Sequence, residues 1–378
     1  MRIRELKLLL ALLICAGSAI AVAQAANPVP PEIDAIRQKI ANGTPLTPEE
    51  QTSIQAFRAQ RAKETREAWL KDHTPQPSTG LIALPDLETG TYKGEQGGLY
   101  PGGSNVIPVR HLKSGIKLAR TVRPLDAVGH PAKDGKIVLL AIGFSNPFME
   151  FPVFMKDAAA EKSLNPHLVM VNGCVPGMAS STIANQEAQY WQQVARAIKD
   201  AGVMPQQVQA VWLKEVVPLP KMPFPVEAKQ LQSDMERTLH ILHDRFPNLK
   251  LTYLATRTYG GYTEVGGSPE PWAYETGFGV KWVIADQLAG KPEMNFDPKK
   301  GAVEVPWVEW GPYFWTDGVN GRKDGFVYLR EDVGDDGLHP SPRGQVKIAK
   351  LLVDFFANDP TTRPWFLARG GAGKTGGE

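Results

Sequence analysis

The chain has 378 residues, 42% of them hydrophobic, which suffices for a large core in one main domain with additions. Its formal net charge is +2 and its basic residues are scattered, so it carries no electrostatic footprint for nucleic acid. Two cysteines and seven dispersed histidines give no ligand spacing for a metal, and nothing in the chain calls for a cofactor.

Residues 1–25 begin with Arg2, Arg4 and Lys7, continue through the apolar run Leu8 to Cys15, and end in Ala23-Gln24-Ala25. That layout predicts a cleaved signal peptide and a periplasmic or secreted protein whose mature start is near Ala26. Gly17 and Ser18 interrupt the apolar run, which argues against stable membrane insertion once the signal is removed. Cys174 is then left alone, unable to form an internal disulfide, and reads as a small buried hydrophobe.

Residues 26–80 read as a polar helical arm and linker. Ile33, Ile36 and Ile40 form one apolar stripe, and Ile54, Phe57, Ala62 and Trp69 another. Thr47-Pro48-Glu49-Glu50 opens the longer helix, with Thr47 as cap and Pro48 at the first helical position. Residues 81–133 are a loop-rich lead-in in which Tyr100, Asn105 and His111 either satisfy local turns or wall a pocket.

Residues 134–366 alternate between strand and helix patterns. The continuous apolar run Ile137 to Ile142 has the length and composition of a parallel strand covered on both faces. It stops at Gly143-Phe144-Ser145-Asn146, placing a small hydroxyl at a strand's carboxyl end, where ligands bind in open α/β sheets. Ser145 is also a preferred helix cap, and Pro147 suits the first turn of a helix towards Lys162. Further strands are expected at His167 to Val171, Val208 to Leu213 and Leu249 to Ala255, with helices at Ser181 to Ala201 and along Leu231, Met235, Leu239, Leu242 and Phe246. The alternation predicts a three-layer α/β/α sandwich with a mainly parallel sheet.

Between the second strand and its helix, Gly173 and Gly177 allow backbone N–H groups to approach a ligand closely. The long stretch Thr256 to Asp324 is rich in aromatic residues and glycine, so it either carries its own structure or walls a cleft with exposed rings. Near the end, Asp336-Gly337-Leu338-His339 precedes an amphipathic run from Val346 to Phe355. A carboxylate three residues before the imidazole can turn back onto one ring nitrogen while the other faces a nucleophile. Residues 367–378 read as a flexible tail whose glycines mimic a phosphate loop without a helix to follow.

Taken together, the G-x-Ser145-Asn146 block, the glycine block at 173–177 and the Asp336-Gly337-x-His339-Pro340-Ser341 block resemble the SGNH (GDSL-like) hydrolase superfamily over roughly residues 134–366. The resemblance implies a flavodoxin-like sandwich in which Ser145 is the nucleophile, His339 the general base and Asp336 its orienting group. The backbone N–H of Ser145 and that of Gly173 or Gly177 would hold the oxyanion. Two positions differ: Phe144 stands where the family has Asp, and Trp212 to Val217 lacks the family's Asn. Lys214 is the candidate to replace that Asn, or else forms a surface pair with Glu215. Asn146, Lys214, Tyr262 and Glu275 are candidates for substrate contact.

Two classes of function follow from this reading. One is a secreted serine esterase acting on a small-molecule or glycan ester; the other is a non-catalytic carbohydrate- or ligand-binding protein that keeps the same fold. N-terminal sequencing of the exported protein is expected to start near Ala26, and an intact Met1 end in a membrane fraction would favour an anchor instead.

Overall fold

The computed structural model describes residues 29–41 and 44–368. The expected signal peptide falls outside them. Five parallel strands form the central sheet: β1 (Ile137–Gly143), β2 (Leu168–Asn172), β3 (Val208–Lys214), β4 (Leu251–Ala255) and β5 (Trp307–Trp310). Their spatial order is β2-β1-β3-β4-β5. Every residue of β1 is buried, as its unbroken apolar sequence requires for a strand covered on both faces. The chain leaves β1 towards one edge and returns to build the other, so the carboxyl ends of β1 and β3 form the switch point where a ligand crevice opens.

The principal helices are α1 (Pro31–Ala41), α2 (Pro48–Leu70), α3 (Val109–Ala119), α4 (Ser145–Ala159), α5 (Gln189–Asp200), α6 (Val226–Arg245), α7 (Trp272–Ala289) and α8 (Pro342–Asn358). Right-handed crossovers place α4 on one face of the sheet and α5, α6 and α7 on the other. α8 returns to pack on α4, with Phe154 against Phe356. The expected three-layer α/β/α sandwich is therefore the observed one. No helix among the described residues is long and apolar enough to cross a membrane.

Three elements differ from the sequence reading. The helix expected over 181–201 is broken into a short turn, Ser180–Ile183, and α5, because Asn185 bends the chain by accepting the Glu187 N–H at 3.1 Å. The aromatic stretch 256–324 contains both α7 and β5. α7 is buried on nearly all sides and shows no polar face from which its period could be read. Tyr259, Tyr262, Tyr274, Tyr313, Phe314 and Trp315 are all buried, so these rings fill a second part of the core and do not line an open platform. At the C-terminus, the Ala368 N–H donates to Ser163 O at 2.7 Å and Leu367 bridges to Leu164. Residues 367 and 368 thus belong to the fold, and the rest of the expected tail lies outside the described residues.

The arm forms its own small apolar cluster from Ile33, Ile36 and Ile54. Thr47 caps α2 with a reciprocal bond to Glu50, as its sequence predicts. His111, on α3, is buried against Trp307, and its Nε2–H donates to Val308 O at 2.8 Å. Burial pushes its pKa down. Asn105 bonds Pro85 O and the Leu99 N–H, so it serves a local turn.

Lys214 ends β3 and Glu215 follows it. Both are fully buried, so the expected surface pair is not present. Thr238 on α6 donates to Glu215 Oε1 at 2.7 Å, while the Ser180 hydroxyl donates to neighbouring Asp234 at 2.6 Å and the Ser180 N–H to Val216 O at 2.9 Å. This cluster ties α6 and the Ser180 turn to the end of β3. Burial, reinforced by nearby Asp234, pushes the Glu215 pKa up to about 8 against the Thr238 bond. From the ordinary carboxyl range up to about 8, the unfolded chain has lost a proton that the folded chain keeps, so Glu215 makes stability fall as pH rises through that window. Glu215→Gln is expected to flatten the decline of Tm between pH 5 and 8, measured by thermal unfolding. Parallel Tm curves for the two proteins would contradict the assignment.

Candidate active site

β1 runs straight into α4 with almost no loop, and Gly143 makes the junction possible. A Cβ at this position would lie 2.3 Å from Lys214 O, so only glycine lets β1 and β3 approach this closely. The Gly143 N–H donates to the Tyr190 hydroxyl at 3.1 Å and Gly143 O accepts from Val175 at 3.0 Å, which fixes the junction on both sides. Phe144 is extended, and Ser145 is the first residue of α4. The serine therefore stands at a helix N-terminus, where unpaired N–H groups and the helix dipole favour negative charge.

His339 approaches from the turn ahead of α8. Its Nε2 is 2.9 Å from Ser145 Oγ, and its Nδ1 is 2.6 Å from Asp336 Oδ2. The other carboxylate oxygen of Asp336 accepts the N–H groups of Leu338 at 2.9 Å and His339 at 3.0 Å. Burial works to raise the Asp336 pKa, but the bond and charge of His339 and those two N–H groups outweigh it and hold the carboxyl below its usual range. Ser145, His339 and Asp336 thus form one unbroken hydrogen-bond chain at the carboxyl edge of the sheet. Asn146 extends it, donating from Nδ2 to Leu338 O at 3.2 Å and so linking α4 directly to the histidine turn.

The two glycines after β2 are not equivalent. Gly173 donates its N–H to Ala141 O at 2.9 Å, extending the β1–β2 ladder, and is therefore not available to an oxyanion. Gly177 adopts a left-handed conformation (φ +83°), and its N–H forms no hydrogen bond among the described residues. Of the two, Gly177 alone keeps a free donor.

The remaining sequence candidates lie in other networks. Lys214 donates to both carboxylate oxygens of Glu150, at 2.9 and 2.8 Å, with 0% of either side chain exposed. Its ammonium also lies over the Phe314 ring at 4.8 Å. Burial lowers the Lys214 pKa while Glu150 works to raise it. Locked in this pair, Lys214 does not offer a mobile cation to a cleft, which corrects the expectation. Tyr262 is buried with its hydroxyl on Tyr328 O at 3.2 Å, and burial pushes its pKa up to about 12. Glu275 is likewise buried and accepts from Tyr92 at 2.7 Å and Lys93 at 3.1 Å. Tyr262 and Glu275 therefore brace the surrounding loops.

Two buried charged residues stand beside the site, and of these the sequence reading missed Glu150. Glu150 was visible as an acid set among the apolar residues Phe148, Met149, Phe151 and Pro152, a pattern that implies a buried partner. Arg257, just beyond β4, is buried with its guanidinium 5.6 Å from the Phe144 ring and donates to Gly267 O at 3.1 Å. Burial lowers its pKa. Nothing local in the sequence signals that this arginine reaches back to β1.

No protein-family model matches the chain, and no curated protein matches it. Similar solved structures include the periplasmic domain of a lipopolysaccharide acetyltransferase from Salmonella ser. Paratyphi A, 13% identical, covering 66% of this chain and 95% of that one with a TM-score of 0.31. Another is a protein named as an acylhydrolase from Bacteroides fragilis, 10% identical, covering 68% of this chain and 100% of that one with a TM-score of 0.30.

Removing one partner of a buried ion pair leaves the other charge stranded, a loss of about 3–5 kcal/mol, whereas replacing both by apolar groups is often neutral. Lys214→Met is accordingly expected to destabilise the protein by about that amount in urea unfolding, and Lys214→Met with Glu150→Leu to recover most of it. Equal stability of the single variant and the wild type would contradict this role.

Proposed function

We propose that the protein is an exported serine esterase that hydrolyses an acyl ester, with acylated carbohydrates as the substrate class to test first. The observation that carries this reading is the Ser145–His339–Asp336 chain, whose contacts of 2.9 and 2.6 Å have the length that nucleophile activation requires. Asp336 accepts the Nδ1 proton of His339 and so leaves Nε2 as the base. As Ser145 Oγ attacks the ester carbonyl, Nε2 takes the hydroxyl proton and the carbonyl oxygen becomes an anion. The N–H groups of Ser145 and Gly177, with the N-terminal end of α4, are the donors for that anion. The tetrahedral adduct then collapses, His339 returns the proton to the leaving alcohol, and the acyl group stays on Ser145. Water, deprotonated by the same imidazole, attacks the acyl-serine, releases the carboxylic acid and restores the hydroxyl. No metal or cofactor enters this scheme.

The alternative is a ligand-binding protein that keeps the fold without the chemistry. It is favoured by the end of β3, where Lys214, the candidate to replace the Asn of the resembled family, is locked to Glu150. A fluorophosphonate probe and p-nitrophenyl acetate separate the two. The esterase reading expects Ser145 to be labelled, Ser145→Ala to fall to background, and Asp336→Asn to lower kcat by about 10⁴-fold. Equal rates for wild type and Ser145→Ala, with no label on Ser145, would favour the binding protein.

A further inference from the structure

The end of the N-terminal arm and the linker after it meet the body of the protein at residues 259–267 and 317–319, and the first of these segments lies behind the histidine turn. Near the end of α2, Arg66 and Trp69 stand three residues apart and therefore on one face, and both contact the loop at 264–266. Arg66 forms an ion pair with Glu264. The Trp69 ring lies over Gly266, at ordinary van der Waals distance (3.4 Å) from where a Cβ would stand. The chain after α2 continues along the same loop and then reaches Asp317. Gln76 donates to Gly261 O at 2.8 Å and accepts from the Tyr259 hydroxyl at 2.9 Å, and Thr79 and Gly80 donate to Asp317. Residues 66–80 thus run along residues 259–267 as a strap.

The opposite side of that loop holds the turn. The Glu264 N–H donates to Asp336 O at 2.9 Å. Gly337 packs on Tyr262 O with no room for a side chain, and Gly267 packs in the same way on Leu338. The Glu264 carboxylate also reaches Arg330 at 3.5 Å, and Arg330 donates to Gly334 O at 2.8 Å and Asp335 O at 3.3 Å. Glu264 therefore grips the turn twice, by its own backbone and through Arg330, while its carboxylate is held by the arm.

We propose that Glu264 is a positioning residue through which the docked N-terminal arm holds Asp336 and His339 in register with Ser145. This inference rests on the serine-esterase reading of the same site. Arm docking restricts the loop, the loop restricts the turn, and the turn sets the Asp336–His339 bond. Misplacing a catalytic group by about 1 Å costs on the order of 100-fold in rate, so a small loss of register is enough to be read.

The test uses the full chain with Arg66→Glu/Trp69→Ala, the milder Arg66→Ala, and Arg66→Lys as a conservative rescue. Three readouts are compared with wild type: tryptic cleavage after Lys71, the rate of fluorophosphonate labelling against pH, and the NMR signals of the His339 imidazole. The double variant is expected to be cut faster, to label about 10- to 100-fold more slowly with a displaced acid limb, and to show altered imidazole signals. Arg66→Ala should move all three in the same direction to a smaller extent, and it decides the matter if the double variant does not fold. Arg66→Lys should restore most of each loss. Faster cleavage with unchanged labelling and imidazole signals would reduce the arm to packing and overturn the proposal, as would cleavage unchanged in both disruptive variants. If the wild type itself never labels, the esterase reading fails but the imidazole signals still decide: a change on arm release supports the positioning link, and no change overturns it.

Discussion

The site depends on the Asp336 carboxylate closing its own turn. It accepts the ring N–H of His339 and the backbone N–H groups of Leu338 and His339, so one side chain fixes the direction of both the imidazole and the peptide that carries it. Such a turn needs a residue that can reverse the chain. Gly337 does so at φ +67°, in a place where a Cβ would fall 1.8 Å from Tyr262 O. The nucleophile's side relies on the same device: Gly143 lets β1 lie against β3 and launches α4 with Ser145 in its first turn. Two close backbone approaches, one on each side of the Ser145–His339 bond, bring residues 194 positions apart into contact.

Beneath this pair the interior is unusually charged. Lys214, Glu150 and Arg257 are buried around the junction of β1, β3 and β4, and only the first two are directly paired. Buried ion pairs contribute little net stability against apolar replacements of the same size, but a broken one is severely destabilising. The Lys214–Glu150 pair thus constrains how α4 sits on β3, and with it the height of Ser145 above the sheet. The same commitment keeps Lys214 from serving the proposed oxyanion, for which the backbone N–H groups and the helix terminus are the candidate donors.

Much of the architecture was legible in the sequence. The unbroken apolar run of β1, the repeated strand-helix alternation and the Thr47-Pro48 cap each reflect a local physical rule, and the expected strands and the capped helix stand within a few residues of where that rule puts them, while the helix expected from Ser181 starts only at Gln189. The pairing of Ser145 with His339 and Asp336 was legible because each residue occupies a recognisable position, a strand end and the turn before a helix. α7 was not legible, since a helix buried on nearly all sides has no polar face to mark its period. β5 was hidden for a related reason: Trp307-Val308-Glu309-Trp310 is too short to stand out from its aromatic surroundings. Glu264 and the choice of Gly177 over Gly173 are defined by tertiary contacts alone, and no local pattern in the sequence encodes such contacts.

The central claim is that Ser145 is an activated nucleophile that carries an acyl group. Rapid mixing with p-nitrophenyl acetate, acid quench and peptide mapping by mass spectrometry observes that intermediate directly. The account predicts a stoichiometric acetyl adduct on the peptide containing Ser145, formed with a burst of nitrophenol and lost on standing. An adduct confined to other residues, or ester turnover with no acyl-serine at any quench time, would contradict it.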